Sequence, residues 1–230
     1  MKKIAIIVAG GAGTRMGATL PKQFLLLNHK PVLYYTLRTF LESYNDMQVV
    51  LVLPVEYTDM GQEIIDAYFD KERIRITAGG ETRFHSVKNG LALVPDNAIV
   101  FVHDAVRCLI STSLIQRCYL QAVDKGNAVP AITAVDSMRI IKAEVNEPID
   151  RTRLRIIQTP QTFHARIIKA AFEQQYQASF TDEASVLERM GEKIHLAEGE
   201  ESNIKITRPI DLVIAEKILE DRKFNEKNIQ

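Results

Sequence analysis

The N-terminal segment constrains the fold of this chain more than any other stretch. Residues 4–8 form the apolar run Ile-Ala-Ile-Ile-Val, which is typical of a strand buried on both faces. Gly10, Gly11 and Gly13 follow at once, and they let the backbone turn sharply and approach a ligand because they carry no Cβ atom. Successive backbone N–H groups in such a turn form an anion-binding concavity. The segment therefore predicts a buried strand that leads into an anion-binding loop.

Two cations, Arg15 and Lys22, come next and favour a polyphosphate as the anion. The alternative is a simple tight turn. The dinucleotide-binding fingerprint G-x-G-x-x-G fails, because its last position from Gly11 is Met16. The next apolar run ends at Pro54 without the carboxylate that would bind a ribose, and the P-loop signature is absent.

The rest of the chain alternates between apolar runs and helical periodicity. The pattern predicts strands at 4–8, 48–53, 74–77, 99–102 and 128–135, with short strands at 193–196 and 203–206. It predicts helices at 31–44, 61–69, 82–93, 114–123, 165–176, 182–190 (with Thr181 as N-cap) and 209–222, before a polar, frayed tail. This alternation indicates an α/β fold with a mostly parallel sheet.

Residues 136–151 break this rhythm. Apolar and polar residues alternate there around an Asn146-Glu147-Pro148 turn, which predicts a β-hairpin. No helix follows to cover it, so we expect a projecting arm on a single domain that spans residues 1–230.

Composition excludes several classes of protein. The 230 residues carry 29 Lys and Arg against 29 Asp and Glu, dispersed along the chain, which argues against a nucleic-acid-binding surface. Cys108 and Cys118 have no metal-ligand spacing and are expected to be free thiols in a reducing compartment. Without a signal peptide or a membrane-length apolar run, the sequence predicts a cytoplasmic protein with no membrane partner.

Three motifs follow the predicted strands. The glycine-rich loop follows the first, Gly79-Gly-Glu-Thr-Arg83 with Ser86 follows the third, and His103-Asp-Ala-Val-Arg107 follows the fourth. Because ligands of open α/β sheets bind outside the carboxyl ends of the strands, we expect these motifs to form one site.

Asp104 is the natural ligand for Mg²⁺, which prefers one or two carboxylates plus phosphate oxygens. The alternatives are a helix cap or an ion pair with Arg107. His103 is interpreted as structural, because no Ser or Cys nucleophile stands beside it, and Cys108 as a half-buried thiol. The motifs near residues 159, 181 and 205 are each interpreted as a cap or a turn when considered alone. Together they supply hydroxyl and ammonium donors for a second phosphate.

With these motifs in place, the chain resembles the 2-C-methyl-D-erythritol 4-phosphate cytidylyltransferases, a family of sugar-phosphate nucleotidyltransferases. The similarity covers essentially the whole chain, through A-G-G-A-G-T-R-M-G, P-K-Q-F, G-G-E-T-R-x-x-S-V, H-D-A-V-R, D-R-x-x-L, Q-T-P-Q-x-F, T-D-E-A-S and N-I-K-I-T-R-P. The resemblance implies a Rossmann-like, three-layer mixed sheet and a homodimer formed through the β-arm. It also implies transfer of a cytidylyl group from CTP to methylerythritol phosphate, with release of pyrophosphate.

The resemblance also implies roles for individual residues. Arg15 and Lys22 would stabilise charge at the α-phosphate, Arg151 and Lys205 would hold the methylerythritol phosphate, and Asp104 would serve Mg²⁺. The predicted nucleotide- and ligand-binding set is Ala9, Gly10, Gly11, Gly13, Gly80, Glu81, Ser86, Asp104, Arg107, Ser137, Thr159 and Thr181.

Two positions depart from the family pattern: Cys108 replaces a usual proline, and Ser137 replaces a usual threonine. The main alternative is a ribitol 5-phosphate cytidylyltransferase, which shares the first half of the motifs. The stretches from Asp150 and from Thr181 fit the methylerythritol family better. A catalytically inactive nucleotide-binding module is the second alternative, and the presence of Arg15, Lys22 and Asp104 together argues against it.

Overall fold

The computed structural model describes residues 1–10, 20–143 and 145–228. The strands are β1 (Lys2–Val8), β2 (Leu26–Leu27), β3 (Lys30–Pro31), β4 (Met47–Leu53), β5 (Ile74–Ala78), β6 (Ala98–Asp104), β7 (Asn127–Thr133), β8 (Met138–Lys142), β9 (Val145–Ile149), β10 (Arg155–Ile157), β11 (Gln161–His164) and β12 (Leu196–Glu198). The helices are α1 (Val32–Ser43), α2 (Thr58–Tyr68), α3 (Arg83–Leu91), α4 (Thr112–Lys125), α5 (Ala165–Ala171), α6 (Glu183–Arg189) and α7 (Pro209–Asn228).

The central sheet of the described residues has eight strands, in the order β10-β7-β11-β6-β1-β4-β5, with β12 also paired to β7. β1 pairs in parallel with β4 and β6, and β4 pairs in parallel with β5. β11 runs antiparallel to both β6 and β7, and β10 antiparallel to β7. The predicted mixed, mostly parallel α/β sheet is therefore confirmed.

Helices cover both faces of this sheet, as the continuous apolar runs predict. Along β1, Ala5 and Ile7 face the cluster formed with α1, α2 and α4, whereas Ile4 and Ile6 face the cluster formed with α3, α5 and α6. This alternation follows from the two-residue period of a strand. The result is a three-layer structure whose parallel strands all end at one edge.

The predicted hairpin is confirmed as a separate two-stranded sheet of β8 and β9. Its turn was wrongly predicted. The pairing of Lys142 with Val145 places the turn between them, whereas Pro148 lies in β9 opposite Arg139. A proline is tolerated there because both strands of a two-stranded ribbon are edges.

Several predicted boundaries were wrong. Helix α5 ends at Ala171 and not at residue 176. The Gln174 side chain donates to the carbonyls of Ala171 and Val186, both at 2.9 Å, and so ties the segment after α5 to α6. Asp182, not Thr181, caps α6 in a capping box with Ser185. The predicted frayed tail continues α7 to Asn228, since polarity without Gly or Pro does not end a helix.

The chain after β9 also differs from prediction. β10 and β11 were not predicted, and the strand expected at 193–196 instead spans Leu196–Glu198. The strand expected at 203–206 is not formed, because the N–H of Ile206 donates to Val106 in a loop (3.0 Å) and not to the sheet.

Among the described residues, no helix is long and apolar enough to cross a bilayer.

Gly90 provides a test of how α3 packs on the sheet. A Cβ atom at Gly90 would lie 2.7 Å from Cγ2 of Ile6 and 3.2 Å from Cγ2 of Val52. We expect Gly90→Val to lower the free energy of unfolding by about 1–3 kcal/mol through overpacking. Chemical denaturation measures this, with Lys88→Val on the same helix as control. Equal stability of the two variants would contradict the close packing.

Candidate active site

Two adjoining pockets lie at the carboxyl ends of the parallel strands. The first is lined by Val8, Ala9, Gly10, Lys22, Gln23, Gly80, Glu81, Thr82, Arg83, Ser86, Asp104, Val106 and Lys205. The second is lined by Arg83, Asp104, Arg107, Ile157, Gln158, Thr159, Gln161, Thr181, Asp182 and Lys205. Arg83, Asp104 and Lys205 line both pockets and form the wall between them. The three motifs therefore converge as predicted.

Ser86 holds one side of the first pocket. Its hydroxyl donates to the Thr82 carbonyl (3.0 Å) and accepts from the N–H of Gly80 (3.1 Å). Gly80 cannot carry a side chain, because a Cβ atom there would lie 2.4 Å from Cβ of His85. The opposite loop approaches closely, since a Cβ atom on Gly10 would lie 3.7 Å from the Ser86 hydroxyl. Two backbone segments thus form a narrow slot.

The segment that carries Lys22 is fixed to the end of β1. Gln23 is buried and donates to the Ala9 carbonyl at 2.7 Å, which holds the short helix Lys22–Phe24 against the strand. This places Lys22 at the first pocket. Of the other residues predicted for the loop, Gly11, Gly13 and Arg15 lie outside the described residues.

Asp104 ends β6 and is surrounded by cations. Its Oδ1 atom lies 3.2 Å from Arg83, and its Oδ2 atom lies 2.9 Å from Lys205 and 3.7 Å from Nε of Arg107. Burial would raise the pKa of this carboxyl, but Arg83, Lys205 and Arg107 hold its pKa well below the usual range. The carboxylate is therefore ionised at neutral pH, and the predicted pairing with Arg107 coexists with two stronger contacts.

His103 is buried next to Asp104 and contacts Arg107 and Thr159, but it lines neither pocket of the described residues. Its Nε2 atom must donate to the Arg107 carbonyl (3.2 Å), so its Nδ1 atom accepts from the Thr159 hydroxyl (2.9 Å). The same hydroxyl accepts from the N–H of Asp104 at 3.1 Å. The Thr159 hydroxyl thus links His103 to the backbone of Asp104, and Thr159 also lines the second pocket, where its contact with a ligand phosphate stays a prediction.

The segment around Lys205 is fastened on both sides. Asn203 is buried and donates to the Thr159 carbonyl at 2.9 Å, while its own carbonyl accepts from Arg107 at 2.9 Å. The backbone bond from Ile206 to Val106 secures the other side. Lys205 is thereby aimed at Asp104, although no strand is formed.

Two predicted residues lie away from the pockets. Arg151 begins a short 3₁₀ helix at the base of the arm, where its guanidinium donates to the Val135 carbonyl, and Ser137 is exposed at the start of the arm. Within the described part of the chain, neither residue lines the two pockets.

Sequence reasoning did not select three residues that shape the site: Gln23, Arg83 and Glu183. Gln23 and Arg83 stand inside the motifs P-K-Q-F and G-G-E-T-R, so the motifs themselves were the available signal. Glu183 is fully buried and forms an ion pair with Arg83. It stands inside the motif T-D-E-A-S, so here too the motif was the available signal, although its pairing with Arg83 depends on the tertiary structure.

Neither cysteine is suited to act as a nucleophile. Cys108 and Cys118 are free and buried, and burial raises the pKa of each thiol to about 12, which leaves both protonated. Cys108 was predicted to be half-buried and is in fact buried. No group of three or more metal-ligating His, Cys, Asp or Glu side chains occurs in residues 1–10, 20–143 and 145–228.

The buried His103 generates a pH prediction. Burial lowers the pKa of His103 to about 3, whereas an unfolded histidine titrates near 6.5, so the unfolded state binds more protons between these values. Stability must therefore fall as pH falls through this window. Between pH 6.5 and 4.5, the free energy of unfolding should fall by about 2 kcal/mol less in His103→Gln than in the wild type, as measured by urea denaturation. His195→Gln is the control, and an unchanged slope in His103→Gln would contradict a neutral buried imidazole.

Comparison with known proteins agrees with this geometry. A family profile described as 2-C-methyl-D-erythritol 4-phosphate cytidylyltransferase (IspD) matches residues 3–221. The enzymes of that name from Bacteroides fragilis and Bacteroides thetaiotaomicron are 46% and 44% identical over 220 and 219 residues, which is 95% of this chain and 100% of each relative. The crystal structure of 4-diphosphocytidyl-2C-methyl-D-erythritol synthase from Anaerococcus prevotii superposes with a TM-score of 0.81 at 27% identity, covering 95% of this chain and 98% of that one. The chain belongs to the 2-C-methyl-D-erythritol 4-phosphate cytidylyltransferase family.

Proposed function

We propose that this protein transfers the cytidylyl group of CTP to 2-C-methyl-D-erythritol 4-phosphate, releasing pyrophosphate. The observation that carries the proposal is the charged wall of Arg83, Asp104 and Lys205 between two adjoining pockets. A transfer between two anionic substrates requires two binding sites that share a boundary. Family membership supports the choice of both substrates.

The nucleotide is assigned to the first pocket. The slot between Gly10 and Gly80 is narrow and walled by backbone, which suits a flat base, and Ser86 lies beside it. Backbone carbonyls there can accept from the amino group of cytosine and repel the carbonyl of uracil. Lys22 lies at the same pocket, where its charge is placed to stabilise the α-phosphate, and Arg15 is proposed as its partner.

The polyol phosphate is assigned to the second pocket, whose lining includes Arg107, Thr181 and Lys205. Its phosphate monoester is mostly dianionic at pH 7, because its second pKa is near 6. The attacking oxygen therefore needs no general base, which agrees with a neutral His103 outside the pockets. Positioning and fixed positive charge supply the catalysis.

Asp104 is proposed to hold Mg²⁺ together with the phosphates of CTP. The residues fit this ion, since a carboxylate has about four acceptor positions and Mg²⁺ prefers one or two carboxylates with phosphate oxygens. Three cations surround Asp104, so we expect the ion to bind with the polyphosphate and not to the protein alone. Bound there, Mg²⁺ would neutralise phosphate charge.

The arm is proposed to form a homodimer and to deliver Arg151 to the partner's site. Its side chains include exposed apolar residues such as Ile141 (71% exposed) and Val145 (63% exposed). An isolated two-stranded hairpin is marginally stable in water, and pairing with a second arm about a two-fold axis would bury these groups. Arg151 is separate from its own pockets, which supports action in the partner subunit.

The substrate choice is tested by pyrophosphate release from purified protein with Mg²⁺. We expect turnover with CTP and methylerythritol phosphate, weak turnover with ribitol 5-phosphate, and a preference for CTP over UTP of about 10⁴. Reactions without the polyol phosphate are the control. Equal kcat/KM for the two polyols would contradict the choice of methylerythritol phosphate as the acceptor, and no nucleotide turnover with either would favour an inactive binding module.

Action of the arm across the dimer is tested with Lys22→Ala and Arg151→Ala. Each homodimer should lose about 10²-fold or more in rate, because each site lacks one cation. Co-refolding equal amounts makes half of the dimers mixed, and each mixed dimer has one intact site. We expect recovery to about one quarter of wild-type activity.

Each variant refolded alone serves as the control for this mixing experiment. Mixed dimers can be isolated with two affinity tags. Isolated mixed dimers without restored activity would show that Arg151 serves its own chain.

A further inference from the structure

Glu183 lies beside the shared wall but lines neither pocket of the described residues. It is the first residue of α6 and is 0% exposed. Its carboxylate makes a bidentate ion pair with Arg83: Oε1 accepts from Nη1, and Oε2 accepts from Nη2 at 3.1 Å. Because both oxygens of this buried carboxylate bind the guanidinium, Glu183 restricts the orientation of Arg83.

Arg83 connects Glu183 to the pockets. Its Nε and Nη2 atoms lie 3.4 and 3.2 Å from Oδ1 of Asp104. The guanidinium is planar and rigid, so fixing one edge on Glu183 fixes the orientation of the edge that faces Asp104. The three side chains form a continuous chain from a buried helix end to the wall between the substrates.

The helix end that carries Glu183 is itself anchored to the sheet. Gln161, at the start of β11, donates to Oδ2 of Asp182 (2.8 Å) and accepts from the N–H of Ala184 (2.8 Å). These bonds flank Glu183 in sequence. The Glu183 carboxylate is therefore held in place by the same edge of the sheet at which Asp104 ends β6.

Stability alone gives a weak reason for such a pair. Burying an arginine and a glutamate costs desolvation free energy, and apolar replacements of similar volume are often neutral or stabilising. Burial would lower the pKa of Arg83, yet Glu183 and Asp104 raise it, so the guanidinium stays charged. What the pair provides is a cation held in one orientation.

We propose that Glu183 is a positioning residue for the transfer reaction: it orients Arg83, and through Arg83 the Asp104 carboxylate at the boundary of both substrate pockets. This inference rests on the proposed function for its kinetic part. Its structural part concerns only where Arg83 and Asp104 lie.

The test is a double-mutant cycle of Arg83→Met, Glu183→Gln and the two combined. Arg83→Met leaves a buried carboxylate without its cation, so its melting temperature should fall, and the combined variant should recover stability. We expect Glu183→Gln to lower kcat/KM by about 10- to 10²-fold, since small displacements of reacting groups have effects of this size. In the combined variant, kcat/KM should stay at the Arg83→Met level, because Glu183 acts through Arg83.

Stability and activity therefore separate in the combined variant. A purely structural ion pair would in addition leave kcat/KM of folded Glu183→Gln unchanged. Recovery of activity together with stability would overturn the proposal. So would unchanged kcat/KM in Glu183→Gln. If Glu183→Gln does not fold, the combined variant still makes the comparison. Asp46→Asn, which removes the partner of Lys3 (2.8 Å) at the opposite end of β1, is the control and should behave as wild type.

A crystal structure of Glu183→Gln separates this inference from the proposed function. We expect the Arg83 guanidinium to rotate and the contact with Asp104 to change. An unchanged Arg83–Asp104 geometry would overturn the inference whatever the kinetics. A wild-type protein without cytidylyl transfer would contradict the proposed function, while a displaced Asp104 would still support the positioning role of Glu183.

Discussion

The ion-pair network around Asp104 is the interaction on which the rest of the site depends. This carboxylate ends a fully buried strand and is held between Arg83 and Lys205, with Arg107 farther away. Each cation comes from a different part of the chain, so the network joins α3, the loop after β6 and the segment before α7. The position of this one side chain defines where the two pockets meet.

Neutral hydrogen bonds give this charged network its geometry. Thr159 links the backbone of Asp104 to His103, and His103 in turn holds the Arg107 carbonyl. A buried neutral imidazole can do this because burial lowers its pKa to about 3, so that it does not add a fourth cation to the cluster. The neutral side chains of Thr159 and His103 thus position the charged side chains without adding charge to the network.

The strands of the sheet and the convergence of the motifs could largely be predicted from the sequence. Strands β1, β4 and β6 were expected because continuous apolar runs of strand length are typical of a sheet covered on both faces. The motifs at Gly79–Ser86 and His103–Arg107 were expected to meet, because parallel strands end at one edge. The prediction failed for β10 and β11, three and four residues long, whose pairing is decided by neighbours distant in sequence.

The sequence by itself determined the layer architecture, the edge at which ligands bind and the residue types of the site, because periodicity and motif order are local properties. The tertiary structure decided which charges are paired. Glu183 pairs with Arg83 although the two lie 100 residues apart in the chain, and Thr159 reaches the backbone of Asp104 because β11 lies against β6. Arg151 is separated from its own pockets by the path of the arm. Such facts depend on distances between segments far apart in the chain, which no local pattern encodes.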